Sequence, residues 1–398
     1  MTPGEIAWLR TAAAVRTRAH QMLALAEQDS LQDFAFHAAR MGEAADLVAS
    51  VTRAAYPTLA VPHHARWRHF AAGGVDRWGA LAREVADAQE RARIGTDLCV
   101  VSVLLDAGAG ASWGFVEGGA RLTRSEGLAV ASLHAFRAGL FSSDPRRPWQ
   151  ADAAGLRRLD AARLGEAFQV GAGNPLVGLE GRVVLMHGLA DAVEARPDLF
   201  GTDPPRIGNL FDWLRRGAAA GALSAEAILH AVLEGLAPAW PARCAVDGVS
   251  LGDVWPHPAL GGLVPFHKLS QWLAYSLIEV LEDAGLAVTG IDRLTGLPEY
   301  RNGGLFLDTG VLSLRDPALA AVVLPVGHSV VVGWRALTVA LLDRIADCVR
   351  ARLGVSAAAM PLSRVLEGGT WAAGREIARR LRPGGEPPLK VESDGTVF

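Results

Sequence analysis

Residues 297–312 read LPEYRNGGLFLDTGVL and set Glu299, Tyr300, Arg301, Asn302 and Asp308 among apolar residues and two adjacent glycines. Leu305, Phe306 and Leu307 form a short apolar run that reads as a buried strand. Gly303-Gly304 ahead of it lets the backbone turn or approach another group closely. Asp308 then falls at the end of a buried segment, where a carboxylate is costly unless it is paired or used. Burial raises the pKa of such a group and suits it to acid–base work. The competing reading is an Asx-type cap of the Asp308-Thr309-Gly310 turn.

A second chemical feature is the string PFHKLSQ at residues 265–271, which puts Lys268 in the first turn of an expected helix. A cation is unfavourable at that end, because the helix N-terminus already carries partial positive charge. A docked anion would reverse the balance; a solvated lysine is the alternative. Gln271 and Tyr275 follow along the same face. Gly368-Gly369-Thr370 at another helix start offers free N–H groups and a hydroxyl, as a cap or as a second anion site.

Other chemistries find little support. His63, His64 and His69 lie close together in HHARWRHF, but adjacent histidines rarely chelate one ion, and neither HExxH nor an HxH with a carboxylate occurs. A structural or surface role is expected for them. Trp67 and Phe70 with Arg66 and Arg68 could form a nucleobase-stacking or sugar-binding wall, although a helix face packed on the core is the simpler expectation. No GxSxG elbow is present, so acyl transfer is unsupported. Residues 171–181 (GAGNPLVGLEG) lack the Gly-Lys-Ser/Thr of a P-loop, and residues 106–115 (DAGAGASWGF) do not fit GxGxxG. No metal or nucleotide cofactor is expected.

The elements that must position these residues are mostly helical. Residues 4–50 read as two helices broken near Asp29-Ser30, and residues 75–105 as one or two more. Further helices are expected at 160–168, 181–193 and 207–217. Residues 265–284 carry an apolar face and end at Gly285 in the C′ position. Residues 334–353 end at Gly354, and residues 370–381 follow Thr370 as N-cap. Between them, residues 317–334 hold no Asp, Glu, Lys or Arg. Pro317, Pro325, Gly327 and His328 would break a spanning helix there. A short helix near 318–323 and then a β-branched run at Val330-Val331-Val332 are expected instead. Asp394-Gly395 predicts a terminal hairpin. No strand–helix alternation of a parallel sheet is visible, so the expected fold is mainly α, a large helical domain with a few short strands.

The chain has 398 residues, of which half are hydrophobic and 20% charged, with a net charge of −3. That composition describes a globular protein with a large core and without a broad basic footprint for nucleic acid. Cys99, Cys244 and Cys348 are too few and too far apart for a disulfide framework or a zinc finger, and read as reduced core thiols of a cytoplasmic protein. The opening MTPGEIAWLR lacks the order of a signal peptide. One catalytic unit over residues 1–398 is expected, with any division into two lobes near residues 143–150. Neither a membrane nor a nucleic acid is an expected partner, and the sequence is silent on oligomeric state.

The strings PFHKLSQWLAYSLIEVLEDAG, LTGLPEYRNGGLFLDTGVL, WRALTVALLDRIA, VLEGGTWAAGREIA and KVESDGTVF together resemble the uracil catabolism protein 4 family, also known as the Urg3 type and by the domain name DUF1688. The likeness runs over essentially the whole chain. One departure is Gly333, where the family often has glutamate. The resemblance implies a role in uracil catabolism near the release of urea from a ribosylurea-type intermediate. A fainter similarity links HKLSQ and FLDTGVL to queuosine-salvage N-glycosidases, and implies a DNA-glycosylase-like body of helix-hairpin-helix type. Carried over by position, Lys268 would hold a 5′-phosphate and Asp308 would be the catalytic carboxylate. His267, Gln271, Glu299, Tyr300, Arg301, Asn302 and Thr370 would contact the substrate; Arg301 with Glu299 or Asn302 would hold ribose hydroxyls or the ureido group. Thr309-Gly310 replaces the Tyr-Arg of those enzymes. The expected reaction is N-ribosyl hydrolysis of ribosylurea or its 5′-phosphate. Cleavage of the ureido group by an amidohydrolase, or ligand binding without turnover, are the alternatives.

Overall fold

The structure is a computed structural model that describes residues 1–392 apart from 107, 111, 237, 238 and 241–243. It is mainly α, with short strands paired only two by two among the described residues. Two compact units are built from interleaved segments. The first comprises Met1–His64, Arg243–Gln271 and Gly290–Glu392; the second comprises Ala65–Ala242 with Trp272–Thr289. Residues 143–150 lie inside the second unit and divide nothing. No helix among the described residues is long and apolar enough to cross a membrane.

The first unit is organised on the helix Ser329–Leu353, whose first thirteen residues after Ser329 are all buried. A helix apolar on every side must sit inside a core. Ala12–Glu27 and Met41–Ala55 pack against it. It starts five residues before the expected Trp334, because His328 accepts from the Val330 N–H through its side chain, at 3.3 Å, and so starts the helix there. The β-branched run Val330-Val331-Val332 is therefore helical: tertiary burial outweighs a weak intrinsic strand preference.

Residues 300–308 also depart from expectation, since Tyr300–Asp308 is a helix and not a strand. Glu299 caps it, and Gly303 and Gly304 face neighbours instead of making a turn. A Cβ on Gly303 would lie 2.7 Å from the Trp334 ring. The Trp334 indole donates to the Gly303 carbonyl at 3.0 Å. Across the opposite contact, a Cβ on Gly374 of the helix Trp371–Leu381 would lie 2.0 Å from the Arg301 carbonyl oxygen. Glycines thus buy the close helix packing of this region. Phe34–Phe36 pairs antiparallel with Leu312–Leu314, and Val254–His257 with Gly262–Pro265. Val323–Leu324 pairs in parallel with Lys390–Val391; the hairpin expected at Asp394-Gly395 falls outside the described residues.

The second unit holds Arg77–Arg83, Ala88–Leu104, Arg124–Arg137, Leu179–Ala195, Asn209–Gly217 and Ala225–Leu236 as its main helices. A buried ion pair lies among them: Arg206 donates to Asp97 at 2.7 Å, and the Gly208 N–H donates to the same carboxylate at 2.6 Å. The helix Lys268–Asp283 begins with residues of the first unit and continues in the second, and Gly285 takes φ 86° just beyond it.

Candidate active site

The first unit gathers a set of polar side chains around the start of the Tyr300–Asp308 helix. Glu299 takes an extended conformation and accepts from the Arg301 N–H at 2.7 Å and the Asn302 N–H at 2.5 Å. An acidic N-cap also meets the positive end of the helix dipole. The residue is only 9% exposed. Burial pushes its carboxyl above the usual range; the two N–H donors, and the charges of Lys268 and His64, pull the other way without cancelling it.

Two further elements converge here. Asn302 is fully buried, donates to the Leu297 carbonyl at 3.1 Å and accepts from Thr370 Oγ1 at 2.8 Å. Thr370 closes a single π turn, Leu366–Thr370, between the helices Leu362–Val365 and Trp371–Leu381. Such widened turns occur often at functional sites. Thr370 itself has helical φ and ψ and makes no side-chain cap, so its hydroxyl serves Asn302 and not the expected N-cap role. The π turn also carries Glu367, which meets His64 Nδ1 at 2.8 Å and accepts from Tyr56 OH at 3.3 Å. His63 is separately engaged, Nδ1 to Ser363 Oγ at 2.7 Å. His64 and Glu367 escape a reading of the sequence because 303 residues separate them; a buried His pair in a polar string was their only signal.

The backbone of Lys268 is fixed by Asp253. Its N–H donates to Asp253 Oδ2 at 3.1 Å, and Asp253 holds Arg335 by two hydrogen bonds of 2.8 Å. Arg335 lies over the Phe266 ring, 4.0 Å from its centroid. Burial alone would raise the Asp253 carboxyl, but Arg335, Trp255 and the Lys268 N–H bring it down to about 2. His267, directly before Lys268, has φ 48°, a region uncommon for a side-chain-bearing residue.

Several expected contacts belong to the framework instead. His267 Nε2 is bonded to the Leu9 carbonyl at 2.8 Å, and burial lowers its pKa, so it is a neutral brace with its ring committed to the backbone. Gln271 donates to the Phe266 carbonyl at 3.0 Å and to Thr295 Oγ1 at 2.7 Å, and accepts from the Thr295 N–H at 2.8 Å. Its amide therefore holds the Thr295 segment. Arg301 donates to the Gly385 carbonyl at 2.7 Å and lies 4.8 Å from the Tyr300 ring centroid. Asp308 sits at the far end of its helix, its side chain 4% exposed, and takes both terminal nitrogens of Arg382, one at 2.9 Å. With a rise of about 1.5 Å per residue, Glu299 and Asp308 are roughly 13 Å apart along the axis. The structure thus joins Glu299, Asn302 and Thr370, anchors the Lys268 backbone on Asp253, and leaves Asp308 in an ion pair of its own. Gly333 lies against His257 and Phe34, and a Cβ there would be 3.2 Å from His257 Nε2, which leaves little space for a glutamate side chain.

Among the described residues no three His, Cys, Asp or Glu side chains are set to hold a metal ion. The arrangement offers one buried carboxylate of raised pKa, a cation whose helix start is fixed, and an imidazole oriented by a second carboxylate. Groups of these kinds can move protons, and a lysine can attract an anion.

The chain is 38% identical over 408 aligned positions to the protein urg3 of Schizosaccharomyces pombe, covering all of both chains. It is 35% identical to the uracil catabolism protein 4 of Lachancea kluyveri, covering 99% of each. The family profile described as a protein of unknown function, DUF1688, matches residues 8–398. On that match and these full-length likenesses, the chain belongs to the DUF1688 family.

Proposed function

We propose that this protein acts in uracil catabolism and hydrolyses the N-ribosyl bond of ribosylurea or of its 5′-phosphate, releasing urea and the sugar. The pathway is supported by the printed name of the Lachancea kluyveri relative. The observation that carries the chemistry is Glu299, a buried carboxyl held at the start of its helix by the Arg301 and Asn302 N–H groups, in the same unit as the His64–Glu367 pair.

In this reading water attacks C1′ as the C1′–N bond breaks, and the bonding pair leaves on the urea nitrogen. Glu299 faces the oxocarbenium character that develops at C1′ and takes the proton of the attacking water. His64, oriented by Glu367, returns a proton to the departing urea nitrogen, so protons balance over the step. Lys268 binds the 5′-phosphate as a point charge. Tyr300 borders the ligand. Asp308 holds the Glu299-bearing helix in place through Arg382.

Product analysis of the purified protein with ribosylurea and with its 5′-phosphate tests the reaction. Free urea and the matching sugar support it. Ammonia and carbon dioxide would assign cleavage to the ureido group, and binding without turnover would make the protein a partner of another enzyme.

A further inference from the structure

The second unit contains a cavity of about 500 Å³ that the proposed reaction does not use. It is walled by Trp67 and Trp78 and rimmed by Arg68, Arg91, Glu279 and Asp283. The two indoles lie 5.0 Å apart at an interplanar angle of 44°, a wedge and not a stack. Phe70 backs Trp67 at 5.5 Å. The Trp67 N–H is already given to the Ser276 carbonyl at 2.7 Å, which fixes the ring as a buried backing for Trp78, the less buried of the two indoles. Gly95 supports the other wall: a Cβ there would come within 3.2 Å of Trp78.

The rim carries both signs of charge. Arg68 is ion-paired with Glu279 through Nη2, while its buried Nε has no acceptor among the described residues. Arg91 gives Nη1 to the Val85 carbonyl at 2.9 Å. Asp283 lies one helical turn beyond Glu279. Two carboxylates disfavour a simple anion, and three guanidinium groups, counting Arg83 with its own partner Asp76, disfavour a simple cation. An acyl chain would leave the rim unanswered. A flat neutral ring satisfies all of it: a π face against Trp78, carbonyl edges toward guanidinium N–H donors, and ring N–H edges toward carboxylates. The volume is within the usual range for a small-molecule site.

We propose that this cavity is a second ligand site that binds a planar heterocycle with amide-type edges, of nucleobase or nucleoside size. It is separate in residues from the Glu299 cluster and independent of the reaction proposed for it.

Equilibrium dialysis of the full chain with uridine, adenosine, ribose and inorganic phosphate tests this. At least one nucleoside is expected to bind, with ribose and phosphate alone binding at least tenfold more weakly. Trp78→Ala removes one wall and Ala82→Phe fills the cavity without removing a polar contact; each is expected to weaken nucleoside binding by roughly tenfold or more, as for the loss of one stacked face. Glu299→Gln is expected to leave this binding unchanged, which separates the site from that of the proposed reaction. The proposal is overturned if neither nucleoside binds, if both cavity variants bind as the wild type does, or if phosphate or ribose alone binds as tightly as the nucleosides.

Discussion

Glu299 and Asp253 show how one unit holds two buried carboxylates in opposite electrostatic states. Asp253 has a full ion-pair partner in Arg335 and stays ionised down to about pH 2. Glu299 has only N–H donors and more distant charges, and burial dominates. The consequences for stability have opposite signs. For Asp253 the folded pKa lies below the ordinary value of 3.8, so its contribution is present above pH 4 and lost as pH falls toward 2. The shift corresponds to about 2 kcal/mol. Asp253→Asn should therefore be less stable than wild type at pH 7, by about 3–5 kcal/mol, because the buried Arg335 loses the carboxylate charge set against it. It should also lose less further stability between pH 5 and pH 2. Urea midpoints at the two pH values check this. For Glu299 the folded pKa is raised, so the favourable difference is present at low pH and lost as pH rises through that pKa. Glu299→Gln should accordingly gain in stability relative to wild type on going from pH 4 to pH 8, and a constant difference across that range would contradict the assigned burial.

At the scale of elements, the contact between Tyr300–Asp308 and Trp371–Leu381 depends on the absence of a side chain at Gly374. The obstructing atom there is a backbone carbonyl oxygen, that of Arg301, which has nowhere to move without shifting its helix. Gly374→Ala should destabilise by about 3 kcal/mol, near the upper end for overpacking. Gly217→Ala, at a helix end with open space around it, should be neutral or slightly stabilising. Thermal melts of the pair provide the comparison. These two helices also show what a sequence conveys. The segments 265–284, 334–353 and 370–381 were legible as helices from their apolar spacing, and Gly285 and Gly354 marked two of the ends. Residues 305–307 were not, because three apolar residues fit strand and helix equally. What decides the matter is the Glu299 cap together with two glycines used for packing, and that use exists only once Trp334 and Gly374 are in place. The π turn at Leu366–Thr370 was likewise hidden: local propensity does not encode a widened turn whose hydroxyl serves an asparagine 68 residues away.

At the scale of the molecule, each unit is discontinuous in sequence, the first built from three segments. Proline and arginine at 145–148 mark a loop, as read, but not a boundary, since composition reports exposure and not which segments share a core. A chain cut at residue 147 should leave two fragments that each lack part of the second unit, and neither should show a cooperative unfolding transition by circular dichroism. A cooperative transition from residues 1–147 alone would contradict the division. The same long-range assembly explains the uneven legibility of the site. Glu299, Asn302, Thr370 and Lys268 stand in sequence strings dense in polar groups, whereas His64, Glu367, Asp253 and Arg335 join them only through folding. Asp308, the most prominent carboxylate in the sequence, is occupied by Arg382, whose partnership across 74 residues had no local sign.

The measurement that tests the assignment most directly is kcat/KM for ribosylurea 5′-phosphate in Glu299→Gln beside Asp308→Asn, with folding of each verified by its melt. Loss of about a hundredfold or more in Glu299→Gln, the scale of a missing acid–base group, is expected. Asp308→Asn should lose activity only in step with its stability. Full activity in Glu299→Gln, or a stable Asp308→Asn that has lost turnover, would contradict the assignment.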